Sequence, residues 1–564
     1  MFRIIRDWFA NFSRKFSASP FVIKGRVRRP LPTPATNPVN SVVVSPYVMN
    51  DLSTPNFIKN VNLPLESKNP AFFVNNYAGG GFAVGTPQQT AANVYITVSN
   101  VIGMINHHSE IKMNNWARTR RLNVYPFAGN QFNAFYNGAA LKFFSGVDPK
   151  TGRVIHTADS AEIVSHETGH AVLDFFKPDL WNKVSLEFFA FHEGFADLIA
   201  MLTVLQNDEI VKEVISSTGG NLRVSNIVSK LAEDLGIATF NSQPSPLKLP
   251  YCLREAINDF QYQAPETLPK SVNSYNELCS EPHNFGRVML GTFYDMLEMF
   301  YKCQLEKGLS KEDSLKLARN ILTAYALKAV QNTPTTPRFF EAFCKTILWV
   351  DSISGKIYTD KLRDIFQSRH ILPVVTMLEV ANFKDVKNSE PILSKTINNN
   401  NETCLIQGKN KTVKFSSSFS ALSGESLSDY LYDIEVDLSI QSLYILDKDE
   451  NIINSVECSE SDAMKHAYEA LLFLDKNNLI SDDPFTPFEI RNGKLIRTNF
   501  SSCIVKTPSD PEWGKLYKPE NNKGCCGGCC KQTTPSSSQK LPNPVVSRSI
   551  KSCAIRYTYK TNKC

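Results

Sequence analysis

At 564 residues, with 42% hydrophobic and 21% charged side chains, the chain exceeds what one hydrophobic core usually holds, so two or three domains are expected. A formal charge of +6 is small for that length and gives no argument for nucleic-acid binding. The 13 cysteines are odd in number and thinly spread before Cys525, which excludes a disulfide framework and fits reduced thiols.

Residues 1–65 read as a basic amphipathic segment followed by a linker. The opening MFRIIRDWFANFSRKF lacks the apolar run and cleavage site of a secretory signal. Phe2, Ile5, Trp8, Phe9, Phe12 and Phe16 fall at helical spacing opposite Arg3, Arg6, Arg14 and Lys15. Such a face suits either an anionic membrane surface, through residues 1–16, or the body of the protein. No run approaches the roughly 18 apolar residues of a spanning helix. The expected location is therefore cytoplasmic, or outside the cell by a route other than Sec. The Pro-, Asn- and Ser-rich stretch that follows contributes one strand, in VNSVVVSPYV.

Residues 66–180 have the texture of a mixed α+β region. YAGGGFAVG is a turn or loop without the spacing of a dinucleotide fingerprint, and 85–106 predicts a helix. Apolar patches at 122–127 and 139–144 predict strands around GNQFNAFYNG. Asn133, Ala134, Phe135 and Tyr136 would then lie on a sheet edge, either as ordinary hairpin residues or as a place where a peptide adds as a strand. Residues 181–370 are helical, with segments near 188–206, 284–305, 309–330 and 336–350. Residues 371–506 form an accessory α+β region, with strands in 412–460 and a helix over 461–478. Residues 507–564 form a basic tail in which Cys525, Cys526, Cys529 and Cys530 cluster, open to a soft metal, lipidation or oxidation.

The chemistry is concentrated in DSAEIVSHETGHAVLDFF. Asp159 and Glu162 form a capping-box-like pair that can start a helix, and Pro178 ends it. Within the helix, His166 and His170 share a face and can reach one zinc ion. Glu167 beside them suits a general base that does not ligate the metal. A catalytic zinc needs a third protein ligand, and FFAFHEGFADLIAML offers Glu193 and Asp197 four apart in apolar surroundings. Glu193 as ligand and Asp197 as acceptor for the outer N–H of a ligand imidazole would satisfy both carboxylates. His192 suits hydrogen bonding behind the ligands. His283, after Glu281 and Pro282 at a helix start, is a candidate to stabilise a developing oxyanion, and Arg254 a candidate to bind substrate oxygen.

These residues resemble the thermolysin-type gluzincin metallopeptidases over roughly residues 75–355. The resemblance implies an α+β fold of two lobes, mixed then helical, with one zinc between them and the accessory α+β region appended. It implies a zinc endopeptidase acting on a protein or peptide, with His166, His170 and Glu193 as ligands, Glu167 as base and His283 assisting the transition state. Asp197, Asp174 and His192 would support the ligands, and Asn133, Ala134 and Arg254 would hold substrate. Trp181 stands at the offset where the family has an oxyanion-holding tyrosine, so a catalytically silent binding module is the alternative outside enzymology, and a gluzincin exopeptidase the alternative within it. Calcium is not expected, because no carboxylate-rich loop is evident.

Overall fold

The structure is a computed structural model that describes residues 42–497 apart from 52–56, 68, 78, 374–380, 383–389, 398–400, 420–423 and 481–487. The expectations for the amphipathic segment 1–16 and for the cysteine cluster at 525–530 lie outside these residues. The described chain mixes helix and sheet, in agreement with an α+β class. It begins with an antiparallel pair, β1 (Val42–Val48) and β2 (Ile58–Pro64), of which only the first was anticipated. After β3 (Phe72–Val74), helix α1 (Pro87–His108) starts where Thr86 caps it and proline occupies its first turn.

Next come β4 (Leu122–Tyr125), β5 (Ala134–Tyr136) and β6 (Ala140–Phe143). With β3 they make a four-stranded sheet in the order β3-β4-β6-β5, parallel except for β5. The Asn-Ala-Phe-Tyr stretch thus borders an edge strand, as its polar and aromatic texture suggested. A small hairpin, β7 (Ser145–Val147) with β8 (Val154–His156), leads to α2 (Ala161–Phe176), which carries the histidines. The cap differs from expectation: Ser160 accepts from Ile163 N at 3.2 Å, while Glu162 turns away to accept from Ala232 N at 2.7 Å. Asp159 instead accepts from Thr90 Oγ1 at 2.6 Å. A residue one place nearer the helix supplied the same capping chemistry and released both acids for long-range bonds.

Every residue of helix α3 (Leu186–Val204) is buried, so its four ionisable side chains, Glu187, His192, Glu193 and Asp197, lie inside the protein with the apolar ones. It packs between α2 and α6 (Pro282–Glu306), after α4 (Asp208–Thr218), β9 (Lys230–Leu231), α5 (Glu233–Ser242) and β10 (Arg254–Glu255). Gly194 and Gly286 allow the closeness of α3 and α6: a methyl on Gly194 would lie 2.8 Å from Met289 Cβ, and one on Gly286 would lie 2.7 Å from Ala190 O. Helices α7 (Lys311–Asn332), α8 (Phe339–Ile353) and α9 (Thr359–Ser368) complete the helical part.

The accessory region adds an antiparallel five-stranded sheet, β11 (Ala381–Asn382), β12 (Ile392–Ile397), β13 (Thr403–Val413), β14 (Val436–Leu446) and β15 (Asn451–Val456), in the order β11-β15-β14-β13-β12. Helix α10 (Glu460–Lys476) and a hairpin of β16 (Phe488–Arg491) with β17 (Lys494–Arg497) follow. The described residues fall in one compact unit. One apolar cluster joins Val184, Leu186 and Phe189 to Tyr468, Leu471, Phe488 and Leu495, so the accessory region is seated on the start of α3. Among the described residues no single helix is long and apolar enough to cross a membrane. The six described cysteines are all buried and unbridged.

Candidate metal centre

The helical spacing in α2 brings His166 Nε2 and His170 Nε2 within 3.2 Å of each other. From α3, Glu193 places Oε2 3.5 Å from His166 Nε2 and Oε1 3.8 Å from His170 Nε2. These three buried side chains form a group whose ligand atoms lie within 4.8 Å of one another. Ligand bonds of about 2.0–2.1 Å at tetrahedral angles put donor atoms about 3.3 Å apart, so the two imidazoles and the carboxylate fit one small cation with little rearrangement. Two neutral nitrogens and one carboxylate oxygen also form the donor set of an open, water-accepting site.

The partners of the ligands come from separate elements. His166 Nδ1 lies 2.8 Å from Asp197 Oδ1, one turn along α3 from Glu193, which leaves Nε2 for the cluster. Asp197 is in turn clamped by Arg254, whose Nε and Nη2 donate to its two oxygens at 2.7 and 2.6 Å. Arg254 lines the cleft, but its fork of donors serves this carboxylate. His283 is positioned by the cap of α6: Glu281 accepts from Asn284 N at 2.7 Å and holds His283 Nδ1 at 2.6 Å. His283 Nε2 then meets Glu193 Oε2 at 3.0 Å.

The electrostatics follow from burying so many polar groups together. Burial alone would lower His166, yet Asp197 and Glu193 overcome it and raise the imidazole to about 9. His170 has no such partner on its outer nitrogen, and burial drives it down to about 3. For Glu193 burial is outweighed by His283 and His170, which hold its carboxyl well below the ordinary range. Glu167 is pushed up to about 7, first by burial and then by the charge of Glu193, with His166 opposing. Its Oε2 is buried without a hydrogen-bond partner, while the backbone N–H of Tyr136 on β5 faces its carboxylate.

Beside the cluster opens a cleft lined by Phe132, Ile163, Leu231, Leu235 and Leu253 together with His166, Glu167 and His283. Ala134 and Asn133 line it as well. The Asn133 carbonyl is fixed by Thr157 Oγ1 at 2.8 Å and by Phe144 N, whereas its side-chain amide is buried with neither Nδ2 nor Oδ1 bonded. A buried amide left unbonded by the protein at a cleft is arranged for a ligand that supplies both a donor and an acceptor.

Two expected supporting roles differ from what the geometry shows. Asp174 bonds no ligand residue; it accepts from Arg118 through Nε and Nη2 at 3.0 Å each and from Tyr136 Oη at 2.8 Å. Four residues past His170, it faces the strand side of α2, where a guanidinium and a phenol were nearer. His192 lies against His170 with ring centroids 5.7 Å apart, but its Nε2 is buried without a partner, so it supports by packing. Trp181 stands edge-on to Tyr136 at 5.4 Å and to His192 at 6.3 Å, with Arg118 and Arg497 over its ring at 4.8 and 4.3 Å.

Arg497 and Arg118 carried no sequence signal, because an isolated arginine announces a partner only once the fold supplies one. A second acidic group also assembles: Asp51, Glu162 and Glu233 bring carboxylate oxygens within 4.8 Å of one another from three separate segments, an arrangement that a search for an acidic loop does not find. No protein-family model matches the chain, and no curated protein matches its sequence.

Proposed function

We propose that the chain is a zinc-dependent endopeptidase of the thermolysin type, with the two-lobed architecture of that family around α2. The observation that carries this reading is the His166–His170–Glu193 group with the unbonded Oε2 of Glu167 beside it in the lining of an apolar cleft. A catalytically idle metal site has no use for a buried carboxylate raised toward neutrality with one of its oxygens left unbonded.

In this reading His166, His170 and Glu193 hold the zinc, which when bound supplies Lewis acidity toward water and the scissile carbonyl. Glu167 takes a proton from the attacking water at Oε2 and returns it to the leaving nitrogen; a carboxyl near 7 can do both. His283, fixed by Glu281, turns Nε2 toward the site as a donor for the oxygen that gains charge. Asn133 offers its unsatisfied amide to the peptide backbone, and the cleft takes an apolar side chain. The substrate is a peptide or protein, and its sequence preference follows the apolar lining.

The test pairs metal quantification with cleavage of an unbiased peptide library, comparing the native chain with Glu167→Gln. The variant is expected to keep one zinc and to lose cleavage by about a thousandfold, within the usual range for a lost general base. A native chain that takes up no zinc, or cleavage that survives the substitution, sinks the proposal. Zinc uptake with no cleavage by the native chain would instead favour the silent binding module.

A further inference from the structure

Hairpin β16–β17 is attached to the catalytic helices. Phe488 packs on Phe189 of α3 with ring centroids 5.6 Å apart, and Leu495 is buried in the same apolar cluster. This seating carries Arg497 onto Trp181: its guanidinium carbon lies 4.3 Å from the indole centroid, and Nη1 donates to Trp181 O at 3.5 Å. Trp181 stands edge-on to His192, and His192 lies against His170. His192 Nε2 makes no hydrogen bond, so neighbouring rings hold that part of the imidazole in place.

We infer that Arg497 is a positioning residue of the metal centre: by clamping Trp181 it fixes His192, and through it the orientation of His170, so that the accessory region completes the site. The physical basis is that a planar guanidinium on an indole is a strong, oriented contact, and that the shell behind a ligand imidazole sets how well it meets the ion. The ligand on the other side, His166, has its own carboxylate in Asp197 at 2.8 Å. His170 has ring packing in that place, and Arg497 is the cation that backs it from the far end of the chain. This rests on the reading that His166, His170 and Glu193 bind an ion.

The test uses the full chain and reads zinc affinity by chelator competition together with the visible spectrum of the cobalt-substituted protein, which reports ligand geometry independently of cleavage. Arg497→Ala is expected to weaken zinc about tenfold or more, the usual effect of removing a group behind a ligand, and to shift the cobalt bands. Arg497→Lys, which keeps the charge and the stem but not the planar fork, is expected to fall between; it reports alone should the alanine variant fail to fold. Arg491→Ala, at an exposed position on the same hairpin paired with Glu489, is expected to match the native protein. Native affinity and an unshifted spectrum in the Arg497 variants, or an equal loss in Arg491→Ala, overturns the inference. A native chain that binds no ion removes both this inference and the proposed function, whereas native binding with unchanged Arg497 variants removes this inference alone.

Discussion

His166 is useful to a metal only in one tautomer, and Asp197 selects it. The carboxylate 2.8 Å from Nδ1 holds a proton on that nitrogen, so that Nε2, which faces Glu193 and His170, is the one an ion would take. Arg254 keeps Asp197 ionised, so the chain of control runs arginine, carboxylate, imidazole and, in the proposed function, the ion. Replacing Asp197 with asparagine keeps the shape but weakens both grips. Zinc affinity is expected to fall about 10- to 100-fold, measured by competition with a chelator of known strength. Unchanged affinity would mean that the pair serves the packing of α3 alone.

The three helices α2, α3 and α6 must approach closely for residues on each to converge. Gly169 meets Ala196 with 2.9 Å between a would-be methyl and Cα, and a methyl on Gly286 would press to 3.1 Å from Glu193 Cβ. The same crossing that admits α6 therefore sets the height of Glu193 against His283. Helix α3 is also tied at its first turn, where Glu187 accepts from Phe340 N and from Tyr262 Oη, each at 2.8 Å. Burial pushes this carboxyl up to about 8. An unfolded glutamate titrates near about 4.3, so between roughly pH 4.5 and 8 the folded chain holds a proton that the unfolded chain has released. Stability is then expected to decline as pH rises through that window and to level off above about 8. Urea midpoints across the range should show the decline, and Glu187→Gln, which carries no charge to bury, should make it shallower, the remainder belonging to the other raised carboxyls, Glu233 and Glu167 among them. An equal slope in the variant would place the linkage elsewhere.

At the scale of the molecule, the accessory region and the start of α3 share one apolar cluster, in which Phe189 touches Phe488 and Val184 and Leu186 join Leu471 and Tyr468. A division there would expose this surface on both sides. The described unit is therefore expected to unfold in one cooperative transition, with probes in α2 and α3 and in the accessory region coinciding in a thermal scan. Two separated transitions would show that the regions are independently stable.

The helices that carry the candidate site, and the His166–His170–Glu193 group itself, were legible in the amino-acid pattern. HETGH on α2, the Glu193–Asp197 spacing on α3 and the Glu281–Pro282–His283 cap are local patterns, and local patterns survive in one dimension because helical periodicity and capping act over a few residues. The accessory region could be read as α+β for the same reason. Only the tertiary structure decided which partners those groups meet. Arg254 was readable as a donor for substrate, but a buried carboxylate at 2.6 Å claims its charge. Asp174 was readable as a support for the ligands, but Arg118 and Tyr136 take both its oxygens, and His192 supports by packing, its Nε2 being unbonded. Arg497 could not be placed at all, since its contact with Trp181 spans 316 residues and exists only after a separate sheet, helix and hairpin have packed. Burial and long-range pairing are properties of the closed fold, and they settle the direction in which each polar side chain is used.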